Sequence, residues 1–183
     1  MNVVYCVTAN YIEKIKPSIK SLRYFNPKAK VYLVTEADSC DIEDVEVIDI
    51  RGQQWFKPSD VNFKNPYTYI GLLKVCYAEL LPCDKDADTI VNGSLKEMYD
   101  TDLKGKWYGM VEEKNGRYHP FGEKYYNAGV FVLNLKQMRK DNIQQKMVDY
   151  LNSKWQPYCE QDAFNKDGIE EAKIVEIDTR WNE

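Results

Sequence analysis

Asp86-Ala87-Asp88 is the stretch of this chain best suited to hold a hard cation. Two carboxylates one residue apart can both offer oxygens to a single Mg²⁺ or Mn²⁺, leaving the remaining positions to water and phosphate. By itself the pattern is cheap: in a chain with 29 acidic residues a solvated turn is the structural alternative. Three other groups have types that could serve a ligand. They are Lys74 on a helical pattern, Asn127-Ala128-Gly129 ahead of an apolar run, and Gln161-Asp162 in a helix first turn. Each also has a plain structural reading, as a helix charge, as turn residues, or as acidic compensation of a helix dipole.

The elements that must position these groups follow from periodicity. Residues 2–8 form a short β-branched and aromatic run, read as a buried strand ending at Thr8-Ala9-Asn10. Ile12, Ile15, Ile19 and Leu22 fall at helical spacing until Asn26-Pro27 stops them, and Val31 to Thr35 is the next strand. This β-α-β opening is right-handed by the general rule. Further strands are expected at 45–50, 107–112, 128–135 and 173–177, and helices at 67–81, 137–151 and from Glu160. The run Gly129 to Leu135 is continuous and apolar, the mark of a strand covered on both faces. Alternating β and α elements predict one open α/β sheet with helices on both faces, whose ligands bind beyond the carboxyl ends of the strands. The polar loop 51–66 carries Trp55 and Phe56, read as loop packing. No G-x-G-x-x-G follows the first strand, so a dinucleotide fingerprint is absent.

With 183 residues the chain is expected to be one domain, 1–183. A net charge of −4 and the lack of a basic run exclude a nucleic-acid footprint, so an anionic ligand needs a metal or a few placed cations. No run approaches a membrane span or a secretory leader. Five cysteines without a CxxC pair fit reduced thiols in the cytoplasm better than zinc or a disulfide framework. Tyrosine, at 14 residues, is abundant, and tyrosine brings amphipathic surface to binding clefts.

Taken in order, several segments resemble glycosyltransferase family 8, the GT-A enzymes that include glycogenin. They are Val4 to Tyr11, Leu73-Lys74-Val75, Asp86 to Val91, Leu95 to Leu103, Tyr126 to Leu135, Glu160-Gln161-Asp162 and Arg180-Trp181-Asn182. The resemblance implies a single GT-A, Rossmann-like domain with a mixed, mostly parallel sheet. It further implies retaining transfer of a sugar from a UDP-sugar donor to an acceptor the sequence does not identify, with Mn²⁺ (or Mg²⁺) on the diphosphate. Carried over, Asp86 and Asp88 are the metal ligands and, with Ala87, contact the donor. Val7, Thr8, Asn10 and Tyr11 receive its uracil and ribose. Thr8 stands where some bacterial members have an acid. Lys74 approaches the donor, Asn127-Ala128-Gly129 lies beside the donor sugar, and Gln161 and Asp162 flank the anomeric centre as the catalytic pair.

Two departures accompany the resemblance. Family members carry an apolar strand of about four residues immediately before the acidic motif, whereas here only Cys83, Asp84 and Lys85 separate Pro82 from Asp86. Three residues span about 10 Å, and a strand usually needs ~17–20 Å. Either the preceding helix unwinds to supply the strand, or Thr89-Ile90-Val91 slides back into its place and drags the carboxylates toward the wrong end of the sheet. The family's late histidine, a third metal ligand, has no counterpart, since the one histidine, His119, lies in a loop before Asn127. The leading expectation is therefore a glycosyltransferase of reduced activity, with a homo-oligomer open to it. The alternative is a non-catalytic nucleotide-sugar-binding protein or subunit.

Overall fold

The computed structural model describes residues 1–65, 69–88, 93–114 and 119–182, and for 86–88 the backbone alone. Strand β1 (Asn2–Cys6) leads through a 3₁₀ turn (Ala9–Tyr11) into helix α1 (Ile12–Phe25), then β2 (Lys30–Thr35) and β3 (Val45–Asp49). After a loop come α2 (Tyr69–Leu72), a 3₁₀ turn (Leu73–Cys76), α3 (Tyr77–Leu80), β4 (Asp86–Asp88) and α4 (Lys96–Tyr99). The chain closes with β5 (Tyr108–Glu112), β6 (Tyr126–Leu133), α5 (Leu135–Asp141), α6 (Ile143–Ser153), α7 (Glu160–Glu170) and β7 (Ile174–Glu176).

The strands form one sheet in the order β3-β2-β1-β4-β6-β5-β7, parallel except for β6, which runs against both β4 and β5. The two-residue period of each strand divides the core. Val4, Tyr32, Val34, Phe131 and Leu133 face the cluster packed with α2, α3 and α5–α7. Val3, Tyr5, Val31, Leu33, Val130 and Val132 face the cluster holding Ile19 and Leu22 of α1 and Met98 of α4. The mostly parallel sheet with helices on both faces is as expected.

Three elements differ from the periodicity reading. The helix expected over 137–151 is two helices, because Asn142 adopts the left-handed conformation (φ 50°, ψ 43°), which asparagine tolerates better than most residues. The helix expected over 67–81 has a 3₁₀ middle; residues 66–68 lie outside the described ones. It ends where Leu81 turns extended ahead of Pro82.

The third difference is β4 itself. The residues before it are tied down at the amino edge of the sheet. Arg139 donates to the carbonyls of Ala78 and Cys83 and pairs with Asp84, whose own carbonyl accepts from Lys136 N at 3.1 Å. The Lys85 carbonyl accepts from Asn2 Nδ2 at 3.0 Å and from the Tyr99 hydroxyl at 3.1 Å. With residues 83–85 so held, the backbone of Asp86-Ala87-Asp88 itself becomes the central strand, with Ala87 level with Val3. The helix does not unwind to supply this strand, and the other expected route, through Thr89-Ile90-Val91, falls on residues outside the described ones.

Helix α7 is docked on the start of β6 by side-chain amides and a carboxylate. The Asn165 carboxamide, fully buried, accepts from Tyr126 N and donates to Tyr126 O, both at 2.7 Å, as a neighbouring strand would. Asp162, also fully buried, accepts from the Tyr125 hydroxyl at 2.6 Å and from Tyr158 N at 3.1 Å. At the other end of β5, Asp141 accepts from Gln137 Nε2, Trp107 Nε1 and Lys173 Nζ, at 2.8, 2.7 and 3.2 Å.

Two outcomes follow from these braces. Asn165→Ala leaves a buried N–H and a buried carbonyl unpaired and is expected to cost about 3 kcal/mol, read as a lower urea midpoint. Hydrogen bonds from Gln137 and Trp107, then Lys173, hold the Asp141 carboxyl at about 2 against its ordinary 3.8. A depressed carboxylate contributes stability that is present above the ordinary value and is lost as pH falls through the folded one. Asp141→Asn should therefore flatten the fall in melting temperature between about pH 4 and pH 2 while lowering it at neutral pH.

Candidate functional site

The register of β6 breaks where the site forms. Its ladder with β5 pairs Phe131 with Met110 and then resumes at Asn127 with Val111, so residues 128–130 have no partner on β5. On the other side, among the described residues, β4 reaches only Phe131. Backbone groups freed in this way must find other partners. Ala128 N donates to Gln161 Oε1 at 2.8 Å, and the Ala128 carbonyl accepts from Lys74 Nζ at 3.3 Å. Gly129 N donates to Asn127 Oδ1 at 2.7 Å, and Asn127 Nδ2 donates to Glu113 Oε2 at 2.9 Å. The bulge thus draws Lys74 from the helical stretch after α2, Gln161 from α7 and Glu113 from the end of β5 around one stretch of backbone.

These groups line a cavity of about 310 Å³, completed by Tyr158 and Glu160. Lys74 Nζ stands 3.9 Å from Glu160 Oε1, both side chains being over four-fifths buried, and 5.6 Å from the centroid of the Phe131 ring. Gly71 lies against Glu160: a Cβ on it would sit 3.5 Å from both carboxylate oxygens, an ordinary contact. Gly129 is tighter, since a Cβ would come within 2.9 Å of Asn127 Oδ1. Just ahead of α7, Cys159 has φ 47° and ψ −116°, a strained backbone that sets the direction of the helix's first turn. Burial pushes its thiol up to about 12, so it stays protonated at neutral pH. With Oε1 taken by Ala128, Gln161 has its amide N–H groups to offer a ligand. Two carboxylates, one ammonium, a tyrosine and a side-chain amide make a pocket suited to a polyhydroxylated ligand attached to an anion.

Of the residues singled out from sequence, Lys74, Asn127, Ala128, Gly129 and Gln161 meet in this cavity. Asp162, expected as one of a catalytic pair, does not: both its oxygens are engaged in the buried brace to Tyr125 and Tyr158, and it is absent from the lining. Val7, Thr8, Asn10 and Tyr11 lie at the crest of β1, two strand spacings or about 10 Å from β6. There the Thr8 hydroxyl donates to Asn10 Oδ1, Val7 N donates to Val34 O, and Lys14 Nζ sits 4.0 Å over the half-exposed Tyr11 ring.

The side chains of Asp86, Ala87 and Asp88 lie outside the described residues, but their backbone register is defined. Ala87 is level with Val3, four residues or about 13 Å short of Val7 at the crest. The metal ligands that the resemblance implies, Asp86 and Asp88, are therefore located here by backbone register alone. Among the described residues no group of three or more His, Cys, Asp or Glu side chains is placed to hold a metal, and His119 is exposed. Sequence reading missed Glu113, Tyr158 and Glu160. Glu113 had a usable signal, a carboxylate at the carboxyl end of a strand in an open α/β sheet.

The family model "Glycosyl transferase family 8" matches residues 2–183. Among curated relatives, the glycosyltransferase GlyA of Streptococcus pneumoniae is 26% identical over 98% of this chain, which spans 27% of that protein. A putative glycosyltransferase of Haemophilus influenzae is 26% identical over 98% of this chain and 57% of its own length. The chain thus spans only part of both relatives. A solved structure of the galactosyltransferase LgtC, in complex with donor and acceptor sugar analogs, superposes with a TM-score of 0.72 at 21% identity, covering 98% of this chain and 74% of that one. The chain belongs to glycosyl transferase family 8 and has the GT-A fold.

Proposed function

We propose that this chain is a retaining glycosyltransferase that binds a UDP-sugar and passes its sugar to an acceptor hydroxyl. The observation that carries the reading is the meeting of Lys74, Asn127, Ala128, Gly129 and Gln161 in one cavity at the β6 bulge. In this reading the donor sugar fills the cavity, with Glu113 and Glu160 accepting from its hydroxyls. Lys74 adds a positive charge beside the departing diphosphate. Gln161, its carbonyl fixed by Ala128 N, presents a neutral amide near the anomeric carbon, where positive charge develops. Asp162 acts through position, fixing the first turn of α7 from which Glu160 and Gln161 project. The uracil and ribose take the turn of Val7, Thr8, Asn10 and Tyr11.

A bound Mn²⁺ or Mg²⁺ would stabilise charge on the leaving diphosphate, and the resemblance assigns it to Asp86 and Asp88. The β4 register supports a second reading, a nucleotide-sugar-binding protein without turnover, because it holds that pair below the crest. Five cysteines, none in a disulfide, support a reducing compartment, in keeping with the cytoplasm. No described helix is long and apolar enough to cross a membrane.

Calorimetry with UDP and with UDP-sugars, with and without Mn²⁺, tests the site. Binding is expected, and Lys74→Ala should weaken it about tenfold. Absence of UDP binding under both conditions would overturn both readings, whereas binding without donor turnover would select the second. Inserting four apolar residues between Lys85 and Asp86 supplies the short central strand. It should raise the dependence of UDP affinity on Mn²⁺, and an unchanged dependence would show that the register is not what limits the metal. Gly129→Ala displaces the Asn127 amide and should lower nucleotide-sugar affinity while leaving UDP affinity nearly unchanged.

A further inference from the structure

A second cavity, of about 400 Å³, opens over the carboxyl ends of β2 and β3 between Ile50, Gln54, Phe56, Phe63 and Tyr69, and Glu36 contributes to its lining. Glu36 follows the last residue of β2. One of its carboxylate oxygens accepts from Ala9 N at 3.2 Å, in the turn that follows β1. The other is buried and, among the described residues, has no hydrogen-bond partner. A carboxylate oxygen in that position is costly unless something donates to it. The cavity also holds a stacked aromatic pair, Phe63 and Tyr69, with centroids 4.6 Å apart and planes 9° from parallel. The Tyr69 phenol is pushed up by burial first and by the charge of Glu36 next, in keeping with a carboxylate close to that ring.

The position of Glu36 has a general chemical meaning. In a β-α-β unit whose first turn receives a nucleotide, an acid at the end of the second strand can accept from a ribose hydroxyl. Spacing along the crest agrees. From β2 to β6 there are three strand spacings, about 14 Å, with β1 and β4 between. A ribose over β2 would leave its diphosphate to cross β1 and β4 and its sugar to enter the cavity at the β6 bulge. A cationic ligand is less suited to this cavity, because Arg51 and Lys57 also line it.

We infer that Glu36 joins the turn after β1 in recognising the ribose, its unpaired carboxylate oxygen accepting a hydrogen bond from a ribose hydroxyl of the nucleotide held beside Phe63 and Tyr69. The inference rests on the nucleotide-sugar reading above.

The test compares the affinities of UDP, 2′-deoxy-UDP and 3′-deoxy-UDP for the intact chain and for two variants. The unaltered chain should bind one of the deoxy nucleotides about tenfold or more weakly than UDP. Glu36→Ala should bring UDP down to that level and abolish the discrimination. Glu36→Gln keeps an acceptor for Ala9 N, so it preserves the turn, and it should reduce the discrimination because the hydrogen bond loses its charge. Melting curves check that each variant is folded, and Glu36→Gln alone suffices if Glu36→Ala is not. If the unaltered chain binds UDP but treats all three nucleotides alike, or if the discrimination survives intact in the folded variants, this inference is overturned. If it binds no UDP at all, the nucleotide-sugar reading itself fails.

Discussion

The seam between α7 and the start of β6 is the interaction on which the rest of the site depends. Among the described residues, β6 has no β4 partner once it passes Phe131 toward its amino end, and between residues 128 and 130 it loses β5 as well. Exposed strand backbone of this kind normally invites water or another chain. Here Asn165 and Gln161 supply the missing partners, one giving and taking with Tyr126, the other accepting from Ala128. Because these side chains come from one helix at positions 161 and 165, a single docking event closes the strand edge and aims Gln161. Asp162 extends the seam to the hydroxyl of Tyr125 and to the backbone of Tyr158. Stability and ligand geometry are therefore coupled through the same bonds.

A second constraint acts at the opposite edge of the sheet. Arg139, Lys136, Asn2 and Tyr99 hold the backbone of residues 83–85, and the chain does not build its central strand from those residues. It uses the acidic stretch instead. The outcome is a conflict between two roles for the same three residues, ladder partner and cation ligand, and in this structure the ladder has the backbone. Lys74, Glu113, Glu160 and Gln161 are independent of that conflict, since none of them is on β4. The pocket for a sugar and the place for a metal are separable features of this chain.

Much of the fold could be read from the sequence because the two-residue and 3.6-residue periods are strong. The apolar run of β6 announced burial on both faces, and Pro27 and Pro82 marked real boundaries. The break at Asn142 was not legible, because a helix-compatible apolar pattern continues straight through a residue whose conformation depends on tertiary packing. The β4 problem was legible as a shortage of length, but its resolution depended on which neighbouring groups clamp residues 83–85. In the site, Lys74, Asn127, Ala128, Gly129 and Gln161 stood out only as an ordered set. Asp162 looked equivalent to its neighbour Gln161, yet adjacent residues on a helix point about 100° apart, so one meets the cavity and the other the core. Tyr158 and Glu160 carry no pattern of their own and become visible only through the strained turn at Cys159.

Among the described residues β4 is three residues long, which bears on how the molecule comes apart. Among those residues the sheet is joined across its middle by one paired position on the β1 side and three on the β6 side, while β1–β2, β2–β3 and β5–β6 each pair over five positions. Protection against amide exchange should therefore be graded, high within each half-sheet and lower at their junction, so that the two halves behave as separate cooperative units. The β1-α1-β2-β3 half is contiguous in sequence and can organise early. The half built on β5, β6 and α7 must wait for residues far apart in the chain to meet. A nucleotide spanning the crest from β2 to β6 would bridge the two units and act as a clasp on the sheet's weakest join.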